Sequence, residues 1–313
     1  MSATYVTTIE GANPGWRYGS GLAVYTERFI DGRLLSSSYV DNGIPVFEIH
    51  ENTDLPSFDL VIDGESLYYN WEVEGFETSS KEGKQEGILT LKHSLKPVTL
   101  KIITTCCGYG FFKRKIQITN TSKDQSLGLT SIIPLQGMLW RVEDSVKEIL
   151  RDNTVIPYSV GHLKDFHWGQ EGNFGWQDVP LNTEVSYSST LGKSGHSNPF
   201  FILKNNIYGG YFVCHLAWSA NWKTSFFTDY TKRTRMRFSV APVTPAPMRI
   251  IAPGETISAP EVHFGLSHDS FDTAIQNLHS HLRESVLKKV GDGLQPVIYN
   301  HWGYLEHEIS EEA

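Results

Sequence analysis

Apolar and polar residues alternate along most of the chain, and the alternation predicts strands. Phe58, Leu60 and Ile62 fall on one face, Asp63-Gly64 supplies turn chemistry, and Leu67, Tyr69, Trp71 and Val73 alternate again. Together they read as a hairpin. Further strands are predicted at Ile88–Lys92, Val98–Thr104, Phe111–Thr119, Phe200–Leu203, Tyr211–Trp218, Arg235–Val240 and Glu261–Gly265, with Asn205-Asn206 and Gly209-Gly210 as punctuation. Many short strands separated by turn residues indicate a sandwich or barrel built mainly of antiparallel pairs. One segment has a different period. Phe271, Ala274, Ile275, Leu278, Leu282 and Val286 follow the spacing of an amphipathic helix, with Asp269 or Ser270 to cap it, Lys288-Lys289 near its negative end and Gly291 to stop it. After Pro296, Val297-Ile298-Tyr299-Asn300 reads as one more buried strand.

Composition supports this reading. Aromatic residues make up 12% of the 313, with eight Trp, 14 Tyr and 16 Phe, and such residues suit a pleated, half-buried surface. A 40% hydrophobic share with 20% charged residues fits a chain with a proper core. The net charge of −8 argues against nucleic acid as a partner. The one dense basic cluster, Lys232 to Arg237, alternates as the exposed face of a strand does. The first residues show neither a basic nor an apolar signal region, and no stretch approaches the ~18 apolar residues of a membrane helix. Cys106, Cys107 and Cys214 are too few and odd in number for a disulfide framework. A cytoplasmic setting is therefore expected, with no membrane partner, and the Asn120-Thr121-Ser122 sequon is read as fortuitous.

The search for chemistry is mostly negative. Phosphate-cradling glycine loops and the Gly-x-Ser-x-Gly elbow do not occur, and no cofactor is expected. Among 12 histidines, His279 and His281 share the helix but lie about 200° apart around its axis, so no metal site is expected. The stretch from Gly161 to Asp178 reads as an irregular loop rich in Trp, His, acids and Gly. Its Asp165, His167, Trp168 and Trp176 combine flat rings with hydrogen-bonding groups, a set that suits sugars, although a loop folded down as a plug fits equally. Glycoside hydrolysis needs two carboxylates, about 5–5.5 Å apart for retention and about 6.5–9.5 Å for inversion. Glu72 with Glu74 and Glu306 with Glu308 are the local pairs, and both read as solvated surface.

The second half carries a series of short motifs. His196-Ser197-Asn198-Pro199-Phe200-Phe201 leads into a strand, and Gly-Gly-Tyr-Phe-Val leads to Trp218-Ser219-Ala220-Asn221-Trp222. Ile251-Ala252-Pro253-Gly254-Glu255, Ala259-Pro260-Glu261-Val262, the helix and Gln295 to Trp302 follow. In this order they resemble the N-terminal region of the α-galactosidases of glycoside hydrolase family 36, most clearly over residues 196–302. The resemblance implies an all-β fold, a large two-sheet antiparallel β-supersandwich of the galactose-mutarotase type over residues 1–268. A linking helix would span 269–291, and 292–313 would begin a (β/α)8 barrel as a short strand stub. It further implies that the catalytic aspartates lie beyond Ala313, so that this chain holds no catalytic residue and is inactive alone. Trp302 matches a family tryptophan that lines the sugar pocket. The chain departs from the pattern at Thr190 to Lys193, where many members are Arg-rich, and at Gly303. The expected role is a scaffold for the barrel and for subunit contacts, in a complete enzyme that takes an α-galactoside and forms a homo-oligomer. Two rival readings are a free-standing sugar mutarotase or epimerase, with His215 and Glu261 as acid and base, and a carbohydrate-binding module using the 162–176 stretch.

Overall fold

The computed structural model describes residues 3–48, 55–139, 155–164, 172–192, 197–229, 235–287 and 310. Their strands form four antiparallel sheets. The N-terminal sheet is a meander of Thr4–Ile9, Gly15–Ser20, Ala23–Ile30, Arg33–Asp41 and Ile44–Glu48. A ten-stranded sheet runs in the order Phe174–Asp178, Tyr158–Leu163, Phe200–Asn205, Tyr211–Leu216, Val262–Ser267, Phe111–Asn120, Val98–Gly108, Lys84–His93 and Trp71–Lys81, with Thr256–Ser258 also paired to Phe111–Asn120. A third sheet orders Arg249–Ile251, Leu127–Ile133, Asp59–Ile62 and Glu65–Ser66. The fourth orders Leu135–Leu139, Arg235–Pro242, Trp222–Asp229 and Glu184–Ser189.

Turn chemistry sets much of this register. Asp31-Gly32, Asn42-Gly43, Asp63-Gly64, Glu82-Gly83 and Tyr109-Gly110 each join two strands with both residues at positive φ. Such two-residue loops match the right-handed twist of the flanking strands. In several of the long strands the burial alternates. Along Phe111–Asn120, the side chains of Phe112, Arg114, Ile116, Ile118 and Asn120 face inward. Those inward faces join Tyr18 and Tyr25, Leu60 and Leu129, and Phe226 and Phe238 in one hydrophobic cluster drawing on all four sheets. The ten-stranded sheet is thus one layer of a sandwich, and the three smaller sheets divide the other.

The outer face of the ten-stranded sheet has its own apolar patch, and the helix covers it. Cys107, Phe111, Ile202 and Val213 pack there against Ala274 and Leu278, with Phe271, Ile275 and Leu282 alongside. The helix is Phe271–Ser285, capped by Ser270, whose hydroxyl accepts from the Thr273 amide at 3.1 Å. Among the described residues it is the one helix, as the pattern predicts. Val286, counted in the apolar stripe, is the C-cap and is exposed, and buried His281 takes the inward position instead. Residues 288–300, including the strand expected at Val297–Asn300, lie outside the described residues.

One expected hairpin is corrected. Asp59–Ile62 pairs on one edge with Leu127–Ile133, and its hairpin partner is only the two residues Glu65–Ser66, after which the chain changes layers. Asn70 turns at φ 67°, and Trp71 opens the edge strand of the ten-stranded sheet. Leu67 and Trp71 are both buried because they enter the core from opposite layers, while Tyr69 and Val73 are exposed. Alternation in sequence thus spans two sheets here.

At the centre of the sandwich lies an ion pair fully withdrawn from solvent. Arg114 donates to Glu27 Oε1, to Ser57 Oγ at 2.9 Å and to the Pro134 carbonyl at 3.1 Å. Tyr25 and Ser57 also donate to Glu27 Oε1, at 2.8 and 3.1 Å. Burial works against the guanidinium's charge, but the Glu27 carboxylate and the tyrosines around it outweigh that and hold its pKa above the ordinary arginine value. Removing one member strands a buried charge, so Arg114→Met is expected to cost about 3–5 kcal/mol in urea unfolding. The double variant Arg114→Met with Glu27→Leu is expected to recover a large part of that loss. Equal losses in the single and double variants would contradict this account.

Candidate functional site

Three prolines between Ala241 and Pro247 end a strand of the fourth sheet, because proline cannot extend the ladder. The segment that follows forms one wall of a groove of about 690 Å³. Ile118, Leu129 and Ile132 form its floor, and Trp218, Asn221, Arg249 and Glu255 stand around it. Asn221 ties the walls together. Its carbonyl accepts from the Trp218 indole at 3.1 Å and from the Val243 amide at 3.0 Å, and its side-chain oxygen accepts from the Gly192 amide at 2.6 Å. Glu255 is equally fixed, accepting from the Ala252 amide at 2.8 Å and from Arg249 at 3.0 Å. The backbone amide first, and Arg249 second, lower its carboxyl below the usual range. Among the described residues Glu255 is the one acid lining the groove, so the two carboxylates that glycosidic cleavage requires are not brought together there.

A second cluster lies between the helix and the outer face of the ten-stranded sheet. His263 Nδ1 and His281 Nε2 share a hydrogen bond of 2.8 Å, His215 lies 4.5 Å from His263 between ring centroids, and Phe111 stacks on His281 at 4.7 Å. Burial lowers all three imidazoles, to about 4 for His215, about 2 for His263 and about 3 for His281. The neighbouring histidines and Lys113 add to the effect on the last two. His281 Nδ1 is buried with no hydrogen bond among the described residues. His279, two residues away, is exposed. Among the described residues no group of three His, Cys, Asp or Glu is arranged to hold a metal ion. This cluster also bears on the mutarotase reading. His215 faces the helix on the outer side of the sheet, and Glu261 is engaged with Lys113 at 3.6 Å. Neither lines the groove.

The stretch expected as an irregular loop is in part regular. Tyr158–Leu163 and Phe174–Asp178 pair as the outermost hairpin of the ten-stranded sheet, with Gly161 opposite Trp176. Ring contacts explain the glycine, since a Cβ at Gly161 would lie 2.4 Å from the Phe174 ring. Trp176 stands edge-on to Phe174 and Phe271, each with centroids 5.5 Å apart, and remains 40% exposed. His162 stacks on Tyr187 at 3.8 Å. Asp165, His167, Trp168 and Trp302 lie outside the described residues. The sequon is accounted for, because Asn120 is buried and its amide donates to the carbonyls of Gln125 and Ile251. The three cysteines are free and buried, and burial pushes Cys106 up to about 12 and Cys107 to about 11, which leaves them poor nucleophiles. No described helix is long and apolar enough to cross a membrane.

Two groups of residues escaped the sequence reading. Glu255 closes the Ile251 to Glu255 motif with no chemistry attached to it there, and Arg249 is marked only by the proline-rich run before it. Arg114 and His281 each occupy an inward position of a mainly apolar series, and that misplaced polarity is the signal that could have found them.

No family model matches the sequence, and no curated protein matches it. Solved structures match the fold. The galactosidase domain of an α-galactosidase–sucrose kinase has a TM-score of 0.73 at 15% identity, over 97% of this chain and 48% of that chain. The glycoside hydrolase family 36 α-galactosidase AgaA from Geobacillus stearothermophilus gives 0.73 at 15%, over 95% and 47%. The α-galactosidase from Lactobacillus brevis gives 0.67 at 13%, over 88% and 42%. Variants of the Geobacillus enzyme are known in complex with stachyose and with raffinose. The chain therefore has the β-supersandwich fold found within these α-galactosidases. It spans about half the length of the first two.

The histidine cluster makes stability depend on pH. Imidazoles held below their unfolded value near 6.5 take up protons on unfolding, so their contribution is complete above about pH 6.5 and is lost as pH falls toward the folded values. Thermal melts between pH 7 and 4.5 are expected to show a falling Tm. In His281→Phe, which keeps the stack on Phe111, the slope is expected to correspond to about one fewer proton taken up. Parallel slopes for the two proteins would count against the cluster.

Proposed function

We propose that this chain is the N-terminal, non-catalytic supersandwich of an α-galactosidase-like retaining glycoside hydrolase. Its role is to brace a catalytic barrel and to build subunit contacts in a homo-oligomer. The observation that carries this reading is the asymmetry of the fold match, in which 97% of this chain superposes on 48% of an α-galactosidase chain. On this reading residues 292–313 begin the barrel, and Trp302 contributes to its sugar pocket. The complete enzyme acts on α-galactosides through a covalent glycosyl-aspartate on residues outside this sequence. A reducing, cytoplasmic setting is part of the proposal and is supported by the three free thiols.

The chain alone is expected to release no nitrophenol from p-nitrophenyl α-galactoside. Release that follows the protein through purification and saturates with substrate would overturn the non-catalytic reading.

A further inference from the structure

The groove between the Trp218–Asn221 turn and the Arg249–Glu255 pair is unassigned by the scaffold role, and its chemistry is selective. Its floor offers little to an apolar ligand, because Ile118, Leu129 and Ile132 are already 0–3% exposed through packing in the core. The apolar surface it does present stands in the walls, chiefly in the Trp218 ring at 42% exposure and Val243 at 36%. Charge selects further. Glu255 repels an anion, Arg249 repels a cation, and the two neutralise each other at 3.0 Å.

A neutral ligand with one flat apolar face and several hydroxyls fits this combination of an exposed ring and a neutralised ion pair. We propose that this groove binds a neutral oligosaccharide. The apolar face of a sugar ring would lie on Trp218, and its hydroxyls would exchange hydrogen bonds with Glu255, Arg249 and Asn221. This rests on the reading of the chain as part of a carbohydrate-active enzyme, and it assigns to the supersandwich itself a contact with sugar.

Three features on the protein side favour it. The volume of about 690 Å³ lies within the range of small-ligand sites. The recognition groups are fixed before a ligand arrives: the Trp218 indole by the Asn221 carbonyl, and the Glu255 carboxylate by the Ala252 amide. Binding then loses little side-chain freedom. Hydrogen-bonding capacity is also left over. Asn221 commits its two oxygens, while its amide nitrogen makes no hydrogen bond among the described residues. Hydrogen bonds to the charged pair are the stronger kind, and they suit vicinal hydroxyls, which both donate and accept.

The test is calorimetric titration of the 313-residue protein with raffinose and with stachyose, accompanied by tryptophan fluorescence. One saturable site with a millimolar-range Kd is expected. Trp218→Ala and Arg249→Ala are each expected to weaken it by about tenfold or more, and Trp176→Ala to leave it unchanged. Arg249 is exposed, so its variant is expected to keep the circular dichroism and Tm of the parent even where Trp218→Ala does not. Absence of saturable binding at tens of millimolar sugar, or unchanged affinity in Arg249→Ala, would overturn the proposal. Binding lost only in Trp176→Ala would do the same. The parent reading fails separately, through hydrolysis by the chain alone, and the absence of sugar binding at this groove would leave it standing.

Discussion

The buried pair of Arg114 and Glu27 is where the four sheets meet. Glu27 comes from the N-terminal sheet and Arg114 from the ten-stranded sheet. Ser57 lies just before the first strand of the third sheet, and Pro134 is the corner between a strand of the third and a strand of the fourth. Hydrophobic contact between layers has no preferred direction, so two apolar faces can slide past each other at modest cost. A buried charge has no such freedom. A one-residue slip of Phe111–Asn120 would turn Arg114 out of the core, and a two-residue slip would carry it away from Glu27 while leaving the apolar pattern intact. The pair thus distinguishes between registers that apolar packing alone would tolerate.

Much of this architecture is legible in the sequence, for physical reasons that differ by residue. The ten-stranded sheet has long strands with one face inward, so Leu89, Leu91, Leu100 and Ile102 alternate cleanly and announce themselves. The helix is equally plain, because its period contrasts with everything around it. The N-terminal meander is harder to see. Its strands bury Tyr18, Tyr25, Ser36 and Tyr39, which alternate in shape more than in polarity, so that its turns, at Gly11, Gly21, Asp31-Gly32 and Asn42-Gly43, are plainer than its strands. The change of layers at Leu67 to Trp71 is invisible to periodicity, since both residues are apolar on either side of the crossing. The groove is harder still. Trp218, Asn221, Arg249 and Glu255 come together only through the folding of separate turns, and no local spacing encodes that.

The same reasoning explains how a chain can share a fold with α-galactosidases at 13–15% identity while matching no family model. What the fold requires is alternation, two-residue turns at positive φ and a few polar anchors in the core. Alternation can be met by any of several aliphatic or aromatic residues, and the turns by Asp, Asn, Glu or Tyr before Gly. These demands constrain pattern far more than identity. Chemistry is the reverse, since it depends on particular atoms at particular places.

The helix at Phe271–Ser285 reads in sequence as a connector, yet its inner face belongs to the sandwich. Ala274 and Leu278 complete an apolar patch whose other members, Phe111, Ile202 and Val213, sit on the outward side of the ten-stranded sheet. A chain cut after the strand that ends at Ser267 would bare that patch and leave His215 and His263 without His281. It would then present a sticky flat surface to other copies. The folded unit of the sandwich therefore includes the helix.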